Sequence, residues 1–99
     1  METINISGRL YKDAEQCVDR NGKTYTRIIV TCGASVPDGR SRFTHYRCTC
    51  YQRGYENLKK HEQVFITGSL AVTTSKDDRG SFYVNLDVVV YQIARGKKD

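Results

Sequence analysis

Arg40 to Tyr55 reads RSRFTHYRCTCYQRGY, a run in which arginines alternate with aromatic rings. Taken with the two-residue period of a strand, Phe43, His45, Arg47, Thr49 and Tyr51 share one face, and Thr44, Tyr46, Cys48 and Cys50 share the other. The second face is small and moderately apolar, which suits a core. The first carries rings, a guanidinium and a hydroxyl, which a core accepts only at a cost of several kcal/mol for an unpaired charge. The stretch therefore predicts a strand with one face packed and one face turned to solvent or to a ligand.

Charge concentrates at the same place. Residues 40 to 60 hold Arg40, Arg42, Arg47, Arg53, Lys59 and Lys60 against Glu56 alone, whereas residues 1 to 39 and 61 to 99 each balance five bases with five acids. The whole formal net charge of +5 thus comes from one segment of a 99-residue chain. Rings beside cations suit a polymer with flat bases and a charged backbone. Stacking contributes about 1–3 kcal/mol per base, and arginine adds phosphate attraction and cation–π contact. Single-stranded nucleic acid is the ligand these residue types favour. The bland alternative is an amphipathic edge strand whose Tyr and Arg residues only keep a sheet soluble.

Outward from this strand, Thr24 to Cys32 (TYTRIIVTC) is rich in β-branched residues, with Thr26, Ile28, Val30 and Cys32 inward and Arg27 on the outer side. Gly33 to Ser41 holds the only proline in a Pro-Asp-Gly turn and predicts a loop, with Arg40 and Arg42 at its root. Earlier still, Thr3 to Tyr11 alternates with Ile4, Ile6, Gly8 and Leu10 on one side, a strand that bends at its glycine. Lys12 to Lys23 is polar and ends in Asn21-Gly22, a strong hairpin-turn signal. On the other side, Arg53 to His61 is the one stretch that predicts a short helix, with Tyr55 and Leu58 spaced to close an end of the core. Gln63 to Ser75 predicts a long strand with Val64, Ile66, Gly68, Leu70 and Val72 inward, Lys76 to Gly80 a hairpin loop, and Ser81 to Ile93 a last strand with Val84, Leu86, Val88 and Val90 inward.

The sum is an all-β chain with one short helix, in the order β-β-β-α-β-β. That order matches a five-stranded OB-type Greek-key barrel, whose second and third strands form the usual nucleic-acid face. The domain is expected over residues 1–94, with 95–99 as a short basic tail, frayed at the end.

Other classes are less well served. His45 and His61 are isolated, no nucleophile–base pair or glycine-rich phosphate loop is visible, and Asp77-Asp78 sits in a turn between Lys76 and Arg79, so no enzyme and no cofactor is expected. Cysteines 17, 32, 48 and 50 fit neither a zinc pattern nor a disulfide framework; thiols buried or half-buried in the core, with no metal, are expected. No apolar run approaches the ~20 residues of a membrane span. The opening METINISG has no secretory pattern, which predicts a cytoplasmic protein, nucleoid-associated if its ligand is DNA.

With these pieces placed, the sequence resembles the bacterial single-stranded DNA-binding protein family. The resemblance rests on Ile4 to Asp13, the Asn21-Gly22 turn, Thr44 to Tyr51, Asn57 to Gly68 and Tyr83 to Ile93, nearly the whole chain. It implies an OB barrel, sequence-nonspecific binding of single-stranded DNA in replication, recombination or repair, and assembly as a homodimer or homotetramer. Arg47 and Tyr51 match a basic and an aromatic position of the family's third strand, and His45 stands where an aromatic, often Trp, is usual. Val36 and Ser75 stand where members carry loop rings, and this chain has no Trp. The chain stops at RGKKD, without the acidic tip that recruits replication enzymes, so no such recruitment is expected. Compact phage, mobile-element and primosomal relatives share that brevity, and primosomal replication protein N, a dimeric OB protein, is an alternative, as is an OB protein-interaction module with weak DNA binding. RNA is a second nucleic-acid ligand, although the glycine–aromatic motifs of cold-shock-like RNA binders are not visible.

The candidate track is therefore Arg40, Arg42, Arg47, Arg53, Lys76 and Arg79 for electrostatic capture, Phe43, His45, Tyr51 and Tyr83 for stacking, and Lys12 and Arg27 at its flanks.

Overall fold

The computed structural model describes residues 2–35 and 41–96, apart from the side chains of 34, 35, 41 and 42. Six strands make it up: β1 (Glu2–Leu10), β2 (Glu15–Val18), β3 (Thr24–Ser35), β4 (Ser41–Cys50), β5 (Gln63–Lys76) and β6 (Phe82–Arg95). The order in the sheet is β1-β5-β6-β4-β3-β2, antiparallel throughout except for the parallel β4–β6 pair. β1 also pairs with β3 at Arg9–Thr31 and Leu10–Val30, so the ladder that leaves β1 through β5, β6, β4 and β3 returns to β1.

The expected inward faces supply the core. Ile6, Leu10, Ile28, Val30, Cys48, Cys50, Val64, Ile66, Val88 and Val90 are buried, with Leu58 and Ile93 beside them. Close approach explains two glycines. A Cβ on Gly8 would collide with the Thr31 carbonyl where β1 meets β3, and one on Gly68 with the Val89 carbonyl where β5 crosses β6. At Gly68 the β5–β6 register skips Tyr91, pairing Thr67 with Gln92 and Gly68 with Val90. The extra residue shifts the side-chain phase by one, and that is why Ile93 turns inward after Val90.

Four expectations are corrected. No helix forms between β4 and β5; residues 51–62 are turns. Gly54 and His61 take positive φ (99° and 75°), which an α-helix does not permit, and the backbone bonds that a helix would keep internal go elsewhere. The Leu58 carbonyl accepts from Ala14 N–H, and Lys60 N–H donates to Asp13 Oδ1. Tyr55 and Leu58 nonetheless pack as the spacing implied, Leu58 fully buried and the Tyr55 hydroxyl donating to the Ile93 carbonyl at 3.0 Å. The polar stretch after β1 contains a further short strand, β2, paired with the start of β3 across the Asp19–Lys23 turn. Thr44, Val72 and Val84 have the inward phase yet are exposed, because the β3–β4 and β5–β6 hairpins run past the end of the core. Finally, Arg95 belongs to β6 and not to a tail; its guanidinium bonds the Gly54 carbonyl and Asn57 Oδ1 and lies 5.7 Å from the Tyr55 ring.

Candidate nucleic-acid interface

The β3–β4 register sets the face. Gly33 pairs with Phe43, Thr31 with His45, Ile29 with Arg47 and Arg27 with Thr49, so the outward residues of the two strands lie in rows. Phe43 is 66% exposed and Tyr51 38%. Each ring is held differently. His45 Nδ1 shares a 2.8 Å hydrogen bond with Thr31 Oγ1, and the Tyr11 ring meets the imidazole edge-on at 5.0 Å. The Tyr51 hydroxyl donates to Asp19 Oδ2 at 3.1 Å, Lys23 Nζ lies 4.8 Å from its ring centre, and the Tyr25 ring is 5.6 Å away. Asp19 also accepts the Asn21 and Lys23 backbone N–H groups, and these bonds hold its carboxyl below the ordinary carboxylate range. The charged carboxylate in turn raises the Tyr51 phenol above its usual value.

The arginines and lysines are less free than composition alone implies. Arg47 is bound by Asp87 of β6, its partner in the parallel register. Lys12 pairs with Glu15 at 2.7 Å, a bond that lowers the Glu15 carboxyl. Arg27 donates to the Tyr25 hydroxyl at 3.3 Å. Arg53 is exposed and lines a cavity of about 430 Å³ with Lys23, Tyr25 and Tyr51. Arg40 and the side chain of Arg42 lie outside the described residues, as does Val36.

Lys76, Arg79 and Tyr83 belong to the β5–β6 hairpin. Lys76 sits 5.6 Å from the Phe82 ring, and Asp77 organises the turn by accepting from Arg79 N, Ser81 N and the Tyr83 hydroxyl. Among the described residues no hydrogen bond, ion pair or ring contact joins these three to β3 or β4. Lower on the same hairpin, however, Val84, Asn85 and Leu86 border a cleft shared with Tyr11, Ile29, His45 and Arg47. The structure thus brings Arg27, Phe43, His45, Arg47 and Tyr51 onto one face, sets Lys12 and Arg53 at its ends, and holds the hairpin group at its side.

Sequence reasoning passed over Tyr11, Lys23 and Tyr25 as ligand-facing residues. Tyr25 carried a legible signal, since it shares the outward phase of Arg27. Tyr11 also stood opposite Leu10 in the alternation of residues 3–11, whereas Lys23 lies in a turn where a two-residue period says nothing about direction. The cysteines are free, Cys48 and Cys50 buried and Cys17 and Cys32 half-buried. No helix in the described residues is long and apolar enough to cross a membrane.

A sheet face of this make-up, rings between cations on two adjoining strands, has the chemistry for base stacking and phosphate contact. The comparisons sharpen the class. The model of the single-strand binding protein family matches residues 1–95, and the chain belongs to that family. Among solved structures it is similar to a Plasmodium falciparum SSB in complex with ssDNA, at 13% identity and a TM-score of 0.69, over 98% of this chain and 96% of that one. The shared fold is of the OB type. A comparison with curated protein sequences finds no match.

Proposed function

We propose that this protein binds single-stranded DNA without strong sequence preference. The observation that carries the reading is the outer face of β3 and β4, where Phe43, His45 and Tyr51 stand exposed beside Arg27 and Arg47. Family membership and the fold shared with an SSB seen with ssDNA support it. In this reading the pairing circuit is a five-stranded OB barrel with β2 as an extra flap, bases stack on the three rings, and Arg27, Arg40, Arg42, Arg47 and Arg53 attract phosphates. Lys12 flanks the track, and Lys76, Arg79 and Tyr83 reach it from the hairpin. The role is in replication, recombination or repair.

The protein acts as a homo-oligomer. Among the described residues Glu2–Gly8 pair on one edge only, with β5, which leaves a free edge for a second copy. The outer face beside that edge, Thr3, Asn5, Ser7, Phe65 and Thr67, carries no charge, as a surface covered by its twin requires.

The test is fluorescence anisotropy with labelled oligo-dT of increasing length at several salt concentrations, with duplex DNA and oligo-U as competitors. Length-dependent, salt-sensitive binding that duplex does not displace is the expected result. Absence of binding at low salt would assign the rings and cations to a protein partner instead.

A further inference from the structure

A second groove opens at the β1 end of the same face. Its volume is about 710 Å³, and its lining includes Arg9, Tyr11, Lys12, Phe43, Lys60 and His61 but no carboxylate. Three permanent cations and two exposed rings therefore face one cavity with no acid in its wall. Two nearby acids are already engaged: Asp13, between β1 and β2, accepts the Lys60 N–H, and Glu15, at the start of β2, holds Lys12. The Arg9 guanidinium donates to the His61 carbonyl at 3.1 Å, which ties the base of β1 to the turn that carries Lys60.

The groove is continuous with the track already described. Phe43 is an outward residue of β4 and a wall of this groove. Tyr11 borders both this groove and the cleft of His45 and Arg47, and its ring touches His45 at 5.0 Å. A strand stacked on His45 and Phe43 thus has a path past Tyr11 onto Arg9 and Lys60. We infer that the groove is a second segment of the single-strand track, in which Arg9 and Lys60 hold phosphates and Tyr11 supplies a stacking surface. The inference rests on the proposed single-strand binding, and it extends the track to Arg9, Tyr11 and Lys60, none of which the sequence had placed on it.

The experiment compares wild type with Arg9→Ser/Lys60→Ser and with the single exposed change Lys60→Glu, using oligo-dT from about 4 to about 16 nucleotides, the range of one OB domain. Short oligonucleotides, filling only the β3–β4 rows, are expected to bind all three proteins alike. Long ones are expected to lose affinity in both variants, and the double variant's salt slope to fall by about 1.4, two phosphate contacts at roughly 0.7 each. Equal loss at every length, or no loss at any, would overturn the inference. Failure of wild type to bind oligo-dT at all would overturn the underlying function, and the inference with it, a result distinct from the other two.

Discussion

Arg47 grips Asp87 through two parallel hydrogen bonds, Nε to Oδ1 at 2.8 Å and Nη2 to Oδ2 at 3.0 Å, across the parallel β4–β6 pair. The arginine at the centre of the candidate track is thus neutralised by its own neighbour before any ligand arrives. The pair is half exposed, 51% and 40%, so water screens it and a phosphate can compete for the guanidinium. Its N–H groups on Nη1 are outside the two bonds to Asp87.

Asp87→Asn removes the competing charge while keeping the shape. Single-strand affinity is expected to rise by up to about fivefold, the range of an exposed ion pair. The slope of log affinity against log salt should steepen by roughly 0.7 as Arg47 is released to one phosphate. Arg47→Ala has the reverse effect, because it leaves the Asp87 carboxylate alone on the face. Salt titrations of the two variants and wild type measure both, and an unchanged slope in Asp87→Asn would show that Arg47 makes no phosphate contact.

Tyr51 combines a ring for stacking with a hydroxyl spent on Asp19. Tyr51→Phe should therefore bind single strands almost as wild type does. Tyr51→Ala should bind roughly tenfold more weakly, a stacked base being lost, with the salt slope nearly unchanged. Lys23→Ala probes the cation above the ring and is expected to weaken binding and to lower the slope. If Tyr51→Phe weakened binding as much as Tyr51→Ala, the hydroxyl and not the ring would be the functional group.

The parts legible in the sequence were those that a local period controls. Two-residue alternation placed Ile28, Val30, Cys48 and Cys50 inside and Phe43, His45 and Arg47 outside. What failed was set by contacts distant in the chain. Residues 53–61 have a helix-compatible pattern, but Ala14 and Asp13 bind the backbone groups that a helix would use. Asp87 lies 40 positions from Arg47, and a parallel register cannot be read from either strand alone. Alternation also says nothing of where a hairpin outruns its core, as Val72 and Val84 do.

Gly68 tests the bulge that phases β6. A Cβ there would meet the Val89 carbonyl and lie 2.6 Å from Val88 Cγ1, both in the wall of the core. Backbone cannot give way as a flexible side chain does, so Gly68→Ala should destabilise the protein by about 1–3 kcal/mol, the usual cost of overpacking. Leu58→Ala, which empties the fully buried plug between β4 and β5, should cost about 2–5 kcal/mol. Urea denaturation of both variants measures these differences. Equal stability of Gly68→Ala and wild type would mean that β5 and β6 can part at the bulge without loss.

Cys48 links the core to pH. Burial pushes its thiol up to about 12, with Cys32, Cys50 and Asp87 nearby adding to the rise. In the unfolded chain a cysteine ionises near its ordinary value of about 8.5. Below that value both states hold the proton and the group makes stability neither rise nor fall with pH. Between the two values the folded thiol keeps its proton while the unfolded one gives it up, so the unfolded state binds fewer protons and stability falls as pH rises. Cys50 and Cys32, also raised by burial, act in the same direction. Chemical denaturation between about pH 7 and 10, under reducing conditions, should therefore show declining stability, and Cys48→Val should make the decline shallower by removing one of the three groups. The same protonation keeps the thiol inert. A thiol-specific reagent at about pH 8 should modify half-buried Cys17 first and reach Cys48 only as fast as the sheet opens. Labelling of Cys48 as fast as Cys17 would place it outside the core and undo the assignment of the inner face of β4.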